Sequence, residues 1–277
     1  MLEASVVMGY YNRPRLLETT LESIRRNNVN FDKYEVVIVD DGSDPDKNIL
    51  GIIPKFNDIN IIPVILPDRE GEHNPVIPYN IGIKVAKGSI VVLTNPENYH
   101  LSRNILDEMT KEIITDRNSY IIGACYSLTI EQTEMIDRLL RDEKDGINLI
   151  REYFSGDGVF KSRGVPPYST DCWYSHSVFR NDGFHFLTAI DRAKLIKIGG
   201  FDEDFKYGTG YDDTELIARI KNNNMRLVFR DDLICLHQYH SRAPVSEEKS
   251  ILNYRLYCSK LRANNKVANV DRDWGII

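Results

Sequence analysis

The chain has 277 residues, 42% of them hydrophobic and 27% charged, and its formal net charge is −6. Its length suits one large α/β domain or two closely packed lobes, and the acidic balance argues against a nucleic-acid partner. No apolar run approaches the ~18 residues of a membrane-spanning helix, and the first residues lack the layout of a signal peptide. The four cysteines form no CxxC pair, so we expect free thiols, a reducing compartment and a cytoplasmic location.

The first hundred residues alternate short apolar runs with helical patterns. Strands are predicted at residues 5–8, 34–39, 61–66 and 90–93, and helices at 16–27 and 80–87. Pro63 cannot donate a hydrogen bond to a neighbouring strand, so the third strand is expected to be short or to lie at an edge of the sheet. Strands that alternate with helices indicate an α/β fold with a largely parallel sheet.

The pattern is less regular after residue 100. Helical patterns cover 102–145 and 247–263, and apolar runs at 119–125, 226–229 and 233–236 predict strands. Between them, residues 146–181 combine glycines and prolines with many aromatic residues. Because disordered segments are poor in aromatic residues, we expect this long segment to form a structured functional loop or lid.

A polar turn follows the fourth predicted strand. Pro96 ends the strand, and Asn95 and Glu97 flank it. Ligands of open α/β sheets bind beyond the carboxyl ends of the strands, so Glu97 is in a position to hold a cation. The alternative is an ordinary turn whose polar side chains only cap the next helix.

Two adjacent carboxylates, Asp40 and Asp41, follow the second predicted strand and precede Gly42. A carboxylate at this position can accept hydrogen bonds from a nucleobase or from a ribose hydroxyl. The alternative is an Asx-turn, in which the aspartate bonds only its own backbone. The residues alone leave both interpretations open.

A second pair of carboxylates, Asp212 and Asp213, stands at the start of a predicted helix and follows the glycines at 208 and 210. The positive end of a helix stabilises an anion. A carboxylate that is kept ionised beside a substrate hydroxyl is what a general base requires. The alternative is that both residues only cap the helix.

His237 directly follows the last predicted strand. An imidazole is a good ligand for a Mn²⁺-type cation when a carboxylate supplies another ligand position. The alternative is a structural role, which is the more common one for an isolated histidine.

Taken in chain order, these segments resemble the GT-A glycosyltransferases of the family 2 type. The matching residues are SVVMGYYNR at 5–13, EVVIVDDGSD at 35–44, Arg69, YNIGIKVAKG at 79–88, TNPE at 94–97, GGFDEDF at 199–205 and GYDDTEL at 210–216. The resemblance implies a Rossmann-like, mostly parallel central sheet flanked by helices. It also implies a nucleotide-sugar-binding half (1–100), an acceptor-binding and catalytic half (101–240) and a C-terminal helical tail (241–277).

The resemblance also implies roles for individual residues. The nucleotide-binding set would be Gly9, Tyr11, Asn12, Arg13, Asp40, Asp41, Arg69, Asn80 and Asn95. Asp213 would be the general base, with Asp212 orienting the acceptor, and Glu97 and His237 would hold Mn²⁺ or Mg²⁺. Trp173, Tyr174 and His176 are predicted to form an acceptor platform, because aromatic faces stack on sugar rings; the alternative for them is ordinary packing of a long loop.

The chain departs from the family pattern at its metal motif. Asn95 and Glu97 occupy the two positions of the family's Asp-x-Asp motif. An amide oxygen is a weaker ligand than a carboxylate, so we expect weaker metal binding, or metal binding only with the nucleotide present.

The predicted function is therefore metal-assisted transfer of a hexose from a nucleotide sugar, UDP-linked, to a glycan hydroxyl with inversion. The alternative is a catalytically weak or inactive GT-A-like scaffold that binds a nucleotide or a glycan. A nucleotidyltransferase is disfavoured, because residues 9–13 are not a glycine-rich basic loop that could grip a triphosphate. No pattern in the sequence indicates an oligomeric state.

Overall fold

The computed structural model describes residues 2–28, 31–68, 74–142, 144–155, 173–241 and 246–276. The strands in these ranges are β1 Ala4–Tyr10, β2 Tyr34–Asp40, β3 Ile61–Ile65, β4 Ile90–Thr94, β5 Asn98–His100, β6 Ser119–Ser127, β7 Trp173–Ser175, β8 Leu187–Asp191 and β9 Arg226–His237. The α-helices are α1 Pro14–Asn27, α2 Val76–Val85, α3 Ile105–Thr115, α4 Ile130–Asp142, α5 Gly146–Ser155, α6 Arg192–Lys197, α7 Asp212–Asn222 and α8 Glu247–Arg262. Short 3-10 turns cover Phe31–Lys33, Ile49–Gly51, Ile53–Phe56 and Glu203–Tyr207.

The strands form one sheet in the order β3-β2-β1-β4-β8-β6-β9-β5, and β7 pairs with β6. β1 to β4 are parallel to one another, and β6 is parallel to β9. β5, β7 and β8 run antiparallel to their neighbours. Within the described ranges the sheet is therefore mostly parallel, with the mixed pairings confined to its second half, and the predicted α/β fold with a mostly parallel central sheet is confirmed.

The core lies on both faces of this sheet. β1, β2 and β4 are apolar along almost their whole length and buried on both faces, as central parallel strands are. α1 and α3 pack their apolar residues against one face, while α2, α6 and α7 pack against the other. α4 and α5 form a third cluster with β5, β6 and β9.

The strands predicted for the first hundred residues are all present, and β3 lies at the edge of the sheet as expected. α2 begins at Val76 rather than at residue 80, because Asn74 Oδ1 accepts a hydrogen bond from the Val76 backbone (3.0 Å) and starts the helix earlier. The polar turn after β4 leads into β5 and not into a helix, so its side chains do not cap one.

The second half differs more from the prediction. The two apolar runs near residues 226–236 form one continuous strand, β9, which passes a register irregularity opposite Gly123 and Ala124. Residues 146–155, predicted as irregular, form α5. Residues 156–172 of the predicted lid lie outside the described residues. No helix in the described part of the chain is long and apolar enough to cross a membrane.

The predicted C-terminal helical tail is a helix followed by an irregular segment. After α8 the chain packs back on α2, where the Lys84 ammonium lies 3.9 Å from the centre of the Trp274 ring. Gly275 N donates a hydrogen bond to Glu203 Oε1 (2.8 Å). The tail therefore joins α2 to the loop that precedes α7.

Candidate active site

The loops after β1 and β2 are fixed by local hydrogen bonds at the carboxyl edge of the sheet. Asp40 is fully buried, and its two carboxylate oxygens accept hydrogen bonds from the backbone of Ser43 (2.9 Å) and of Ile49 (3.0 Å). The structure thus gives Asp40 the local turn-forming role that was the alternative to nucleotide contact. Asp41, and not Asp40, faces a cleft.

This cleft, called here the smaller cleft, has a volume of about 320 Å³. It brings together seven of the predicted site residues, namely Gly9, Tyr11, Arg13, Asp41, Asn95, Glu97 and His237. Tyr79, His185 and His240 also line the smaller cleft. Residues from the ends of β1, β2, β4 and β9 thus meet at one place, as the common direction of these strands requires.

The turn that carries Glu97 is anchored on both sides. Thr20 Oγ1 donates a hydrogen bond to the Pro96 carbonyl (2.8 Å), which ties the turn to α1. The Gln238 backbone and its Nε2 both donate to the Glu97 carbonyl (3.0 and 3.1 Å), which ties the turn to the end of β9. The Glu97 carboxylate is therefore held close to His237 and His240, which lie on either side of Gln238 and Tyr239.

Glu97, His237 and His240 form a candidate metal site. One ligand atom from each lies within 4.8 Å of the others. A carboxylate with two imidazoles is a donor set that suits a divalent transition metal, so these residues fit a bound cation. Arg13 Nη1 forms an ion pair with Glu97 Oε1, which brings a guanidinium to the same carboxylate.

His240 is a ligand candidate that the sequence prediction missed. It follows His237 by three residues, beyond the end of β9, and the two rings lie 5.3 Å apart. The spacing His-x-x-His was visible in the sequence, but no strand or helix pattern covers it. Only the bend of the chain after β9 brings the second ring back beside the first.

A larger cleft, of about 910 Å³, adjoins the smaller one. Its wall includes Tyr174, Arg180, Phe184, Phe186, Tyr211, Asp213, Thr214 and Tyr239. His237 and His240 line both clefts. The two cavities therefore meet at the candidate metal site.

Asp213 stands in the larger cleft at the first turn of α7. Its Oδ1 accepts hydrogen bonds from the backbone (2.7 Å) and the hydroxyl (3.2 Å) of Thr214. Its Oδ2 forms no hydrogen bond with any described residue. An oxygen at a helix N-terminus that is open to a cleft is available to accept a proton from a bound hydroxyl.

Asp212 has a different environment from its neighbour. It is buried and does not line either cleft, so the structure does not place it against an acceptor. Burial, and then the charge of Asp213, raise the pKa of Asp212 to about 7. The pair thus contains one accessible carboxylate and one buried carboxyl that holds its proton up to near neutral pH.

The loop before Asp213 is held by two buried asparagines from distant parts of the chain. Asn74 Nδ2 donates to the carbonyls of Phe205 (3.1 Å) and Gly208 (3.0 Å). Asn253 Nδ2, from α8, donates to the carbonyls of Phe205 (3.1 Å) and Gly210 (2.8 Å). Neither residue belongs to a recognisable motif, and sequence reasoning missed both.

Two further predicted nucleotide-binding residues, Asn12 and Asn80, lie away from both clefts, and two other predicted site residues lie outside the description. Asn12 joins the two loops after β1 and β2 through Ser43 and Asp44 (both 2.9 Å). Asn80 is fully buried and bonds Phe201 through both ends of its amide (2.8 Å each). Neither asparagine lines a cleft. Arg69 and the side chain of Trp173 lie outside the described residues.

The other two residues of the predicted acceptor platform, Tyr174 and His176, have different environments. The Tyr174 ring lines the larger cleft and lies 4.8 Å from the His237 ring. His176 does not line that cleft: its Nε2 lies 3.6 Å from Asp231 Oδ2, and its ring packs on Phe179 at 4.7 Å. Burial lowers the pKa of His176. Of the two platform residues whose side chains the structure describes, Tyr174 lines the larger cleft and His176 does not.

The model of the family "Glycosyl transferase family 2" matches residues 5–185 of the chain. The chain belongs to this family. A second family model, described as the N-terminal domain of galactosyltransferase, matches residues 176–241, the region that contains Asp213 and His237. Together the two matches cover both clefts of this family 2 glycosyltransferase.

One curated relative and two solved structures illustrate the similarity. Poly(ribitol-phosphate) β-N-acetylglucosaminyltransferase TarP of Staphylococcus aureus (strain N315) is 24% identical over 123 residues, which are 44% of this chain and 36% of TarP. S. aureus TarS 1-349 in complex with UDP-GlcNAc matches 98% of this chain and 68% of that chain, with a TM-score of 0.63 and 18% identity.

The mannosyltransferase PcManGT from Pyrobaculum calidifontis, in complex with GDP-Man and Mn²⁺, matches 95% of this chain and 72% of that chain, with a TM-score of 0.55 and 19% identity. At these identities the structural likeness shows the fold alone. The chain spans little more than a third of the length of the curated relative TarP.

Proposed function

We propose that this family 2 glycosyltransferase moves a hexose from a nucleotide sugar, UDP-linked, to a hydroxyl of a glycan, with inversion at the anomeric carbon. The observation that carries the proposal is the meeting of the two clefts at His237 and His240. A carboxylate suited to a general base lies in one cleft, and a carboxylate suited to a cation lies in the other. Donor and acceptor can therefore approach each other from the two sides of one junction.

In the larger cleft, Asp213 Oδ2 accepts the proton of the acceptor hydroxyl while the hydroxyl oxygen bonds to the anomeric carbon. On the opposite side of that carbon the bond to the diphosphate breaks, and the nucleoside diphosphate leaves with the bonding electrons. Attack from the side opposite the leaving group inverts the configuration. Asp212, which holds its proton near neutral pH, leaves Asp213 as the base.

Glu97, His237 and His240 would hold the divalent cation, Mn²⁺ or Mg²⁺. When bound there, a cation supplies positive charge for the diphosphate that leaves. Mg²⁺ prefers oxygen ligands, so the two imidazoles favour a transition metal such as Mn²⁺ over Mg²⁺. Arg13, which pairs with the same glutamate, can add a guanidinium to the diphosphate side of the smaller cleft.

The donor assignment is supported by the solved neighbours. One of them holds UDP-GlcNAc, and another holds GDP-Man with Mn²⁺. In this chain Gly9, Tyr11 and Asp41 line the smaller cleft at the ends of β1 and β2, where a nucleoside would lie. The wide, partly aromatic larger cleft supports a glycan as acceptor.

The test measures release of nucleoside diphosphate from UDP- and GDP-linked hexoses with and without Mn²⁺. Asp213→Asn is expected to lower kcat about 100-fold or more, because it removes the base and keeps the shape of the side chain. The dissociation constant of the nucleoside diphosphate should stay unchanged. Asp58→Asn is the matched control, since Asp58 is exposed and lies 3.7 Å from Arg25, outside both clefts.

Equal, background-level turnover of the wild type and Asp213→Asn with every donor would overturn the proposal. If nucleotide binding persisted in that case, the result would favour a non-catalytic scaffold that binds nucleotides. Retention of configuration in the product would exclude the direct displacement but not the transfer of the sugar.

A further inference from the structure

The segment 184–186 forms the wall between the two clefts. Phe184 and Phe186 line the larger cleft, whereas His185 between them lines the smaller one. Thr94 Oγ1 donates a hydrogen bond to the Phe186 carbonyl (3.1 Å), and Asn98 Nδ2 donates to the same oxygen. The wall is therefore fastened to the strand end that carries Glu97.

The His185 ring is held in one orientation by aromatic neighbours. It meets the Tyr79 ring edge-on at 5.0 Å and the Phe201 ring edge-on at 5.2 Å. The Tyr79 hydroxyl lies 2.9 Å from both the Thr94 carbonyl and Asn95 Oδ1. The imidazole is thus fixed relative to the end of β4, as a group that binds a ligand in one pose must be.

His185 has no hydrogen-bond partner in the described part of the chain. The residue is 8% exposed, and neither ring nitrogen bonds a described residue, although Nδ1 is fully buried. Polar groups buried to this degree are normally paired, and an unpaired one costs stability. An imidazole that is fixed, unpaired by the described residues and set in a cleft wall is available to hydrogen-bond a bound ligand.

The chemistry of the site indicates which part of a donor this partner is. Burial lowers the pKa of His185, so the ring is a neutral donor and acceptor rather than a cation for a phosphate. Glu97, His237 and His240 lie within 4.8 Å of one another, and His185 is not part of that set. The transferred sugar has to lie where the clefts meet, beside the wall formed by 184–186, and its hydroxyl or acetamido groups suit a neutral imidazole.

We propose that His185 hydrogen-bonds a hydroxyl or acetamido group of the transferred sugar and so helps to determine which nucleotide sugar the enzyme accepts. This role rests on the proposed donor site in the smaller cleft. His185 then contributes to the recognition of the sugar, and not to that of the nucleoside diphosphate.

The test compares affinities for the nucleotide with and without its sugar. Calorimetric titrations in the presence of Mn²⁺ would use UDP, UDP-glucose, UDP-galactose, UDP-N-acetylglucosamine, GDP and GDP-mannose. For the nucleotide sugar that the wild type binds best, His185→Phe is expected to weaken binding 5- to 10-fold, the equivalent of about one hydrogen bond. The affinity for the matching nucleoside diphosphate should change less than 2-fold, because the aromatic packing is kept.

Two further variants separate recognition from structure. His185→Gln keeps an amide near the position of Nε2 and is expected to restore part of the sugar affinity and to change the ranking of the sugars. His100→Phe is the matched control: His100 is also buried with both ring nitrogens unpaired by described residues, but it lines neither cleft. It should leave the affinities for all six ligands unchanged.

Each failure has its own signature. The role of His185 is wrong, while the donor site stands, if His185→Phe weakens the binding of the nucleoside diphosphate as much as the binding of its sugar conjugate. The same holds if the variant leaves the ranking of affinities for the nucleotide sugars unchanged. If the wild type binds none of the six ligands, the donor site is wrong and the role of His185 falls with it.

Discussion

The two halves of the sheet hold their loops in different ways. In the parallel half, the turn after β2 is closed by its own residues, since Asp40 bonds Ser43 and Ile49. In the mixed half, the loop before Asp213 is held by Asn74 and Asn253, whose positions are 43 to 134 residues away from the carbonyls they bond. The turn after β2 is thus closed mainly by local contacts, whereas the loop before Asp213 depends on long-range polar contacts.

This difference has a functional consequence that mutations can test. A loop that is closed by its own residues keeps its shape when a remote packing contact is weakened. A loop that is held by a few remote amides loses its shape when one of them is removed. We therefore expect activity to be more sensitive to buried polar residues of the mixed half than to apolar residues of the parallel half.

The largest expected effect on stability is at the buried ion pair of α7. Arg219 and Glu215 are 1% and 3% exposed, and Arg219 Nε lies 2.7 Å from Glu215 Oε1. Glu215→Gln leaves a buried guanidinium without its counter-charge, so the free energy of unfolding should fall by about 3 kcal/mol. Urea unfolding followed by circular dichroism measures it.

The exposed pair Lys111–Glu108 provides the control for this change. Glu108→Gln should alter the stability by less than about 1 kcal/mol, as is usual for surface ion pairs. If both variants lost a similar free energy of unfolding, the buried ion pair of α7 would contribute no more to stability than a surface ion pair does.

The next largest effect is expected at Asn253. Asn253→Ala removes the donor of two hydrogen bonds, to the carbonyls of Phe205 and Gly210, and should destabilise the protein by about 2 kcal/mol. Because the released loop carries Asp213, kcat/KM should also fall about 10-fold, since small displacements of a catalytic group are costly. Donor turnover measured well below the melting temperature separates the two effects.

Leu252→Ala is the control on the same helix, since Leu252 is 49% exposed. It should preserve both stability and turnover. Normal turnover in Asn253→Ala would show that the loop keeps its shape without the amide, and the contrast between the two halves would then be weaker than we infer.

The same contrast explains which parts of the molecule the sequence predicts. The strands β1, β2 and β4 are short apolar runs that end in turn-forming residues, so both the elements and the cleft at their carboxyl ends follow from local pattern. The roles of His185, His240 and Asn253 do not, because each depends on where distant segments meet. Asp40 shows a further limit: an aspartate at a strand end is common to a ligand site and to a turn, and only the observed bonds to Ser43 and Ile49 decide between them.

A pH-dependent effect is expected at Asp212, whose pKa burial raises to about 7, above its value near 4 in the unfolded chain. The stability that belongs to the protonated carboxyl is fully present below about pH 4 and is lost as the pH rises towards 7. Asp212→Asn cannot ionise, so its stability relative to the wild type should increase as the pH rises across that window. Melting temperatures at pH 5 and pH 8 measure the difference; an equal shift at both values would contradict the raised pKa.

The smallest expected effect is in the parallel half and completes the comparison. Ile38 is fully buried in β2 among apolar neighbours, so Ile38→Val should cost about 1 kcal/mol through one lost methylene. Because the turns at the end of this strand are closed by their own residues, kcat/KM and the affinity for the nucleoside diphosphate should remain within 2-fold of the wild type. The decisive measurement sets activity loss against stability loss for Ile38→Val and Asn253→Ala together. An equal loss of activity per kcal/mol of lost stability in the two variants would mean that activity simply follows stability. A larger loss of activity per kcal/mol in Asn253→Ala is expected if remote amides fix the loop that carries Asp213.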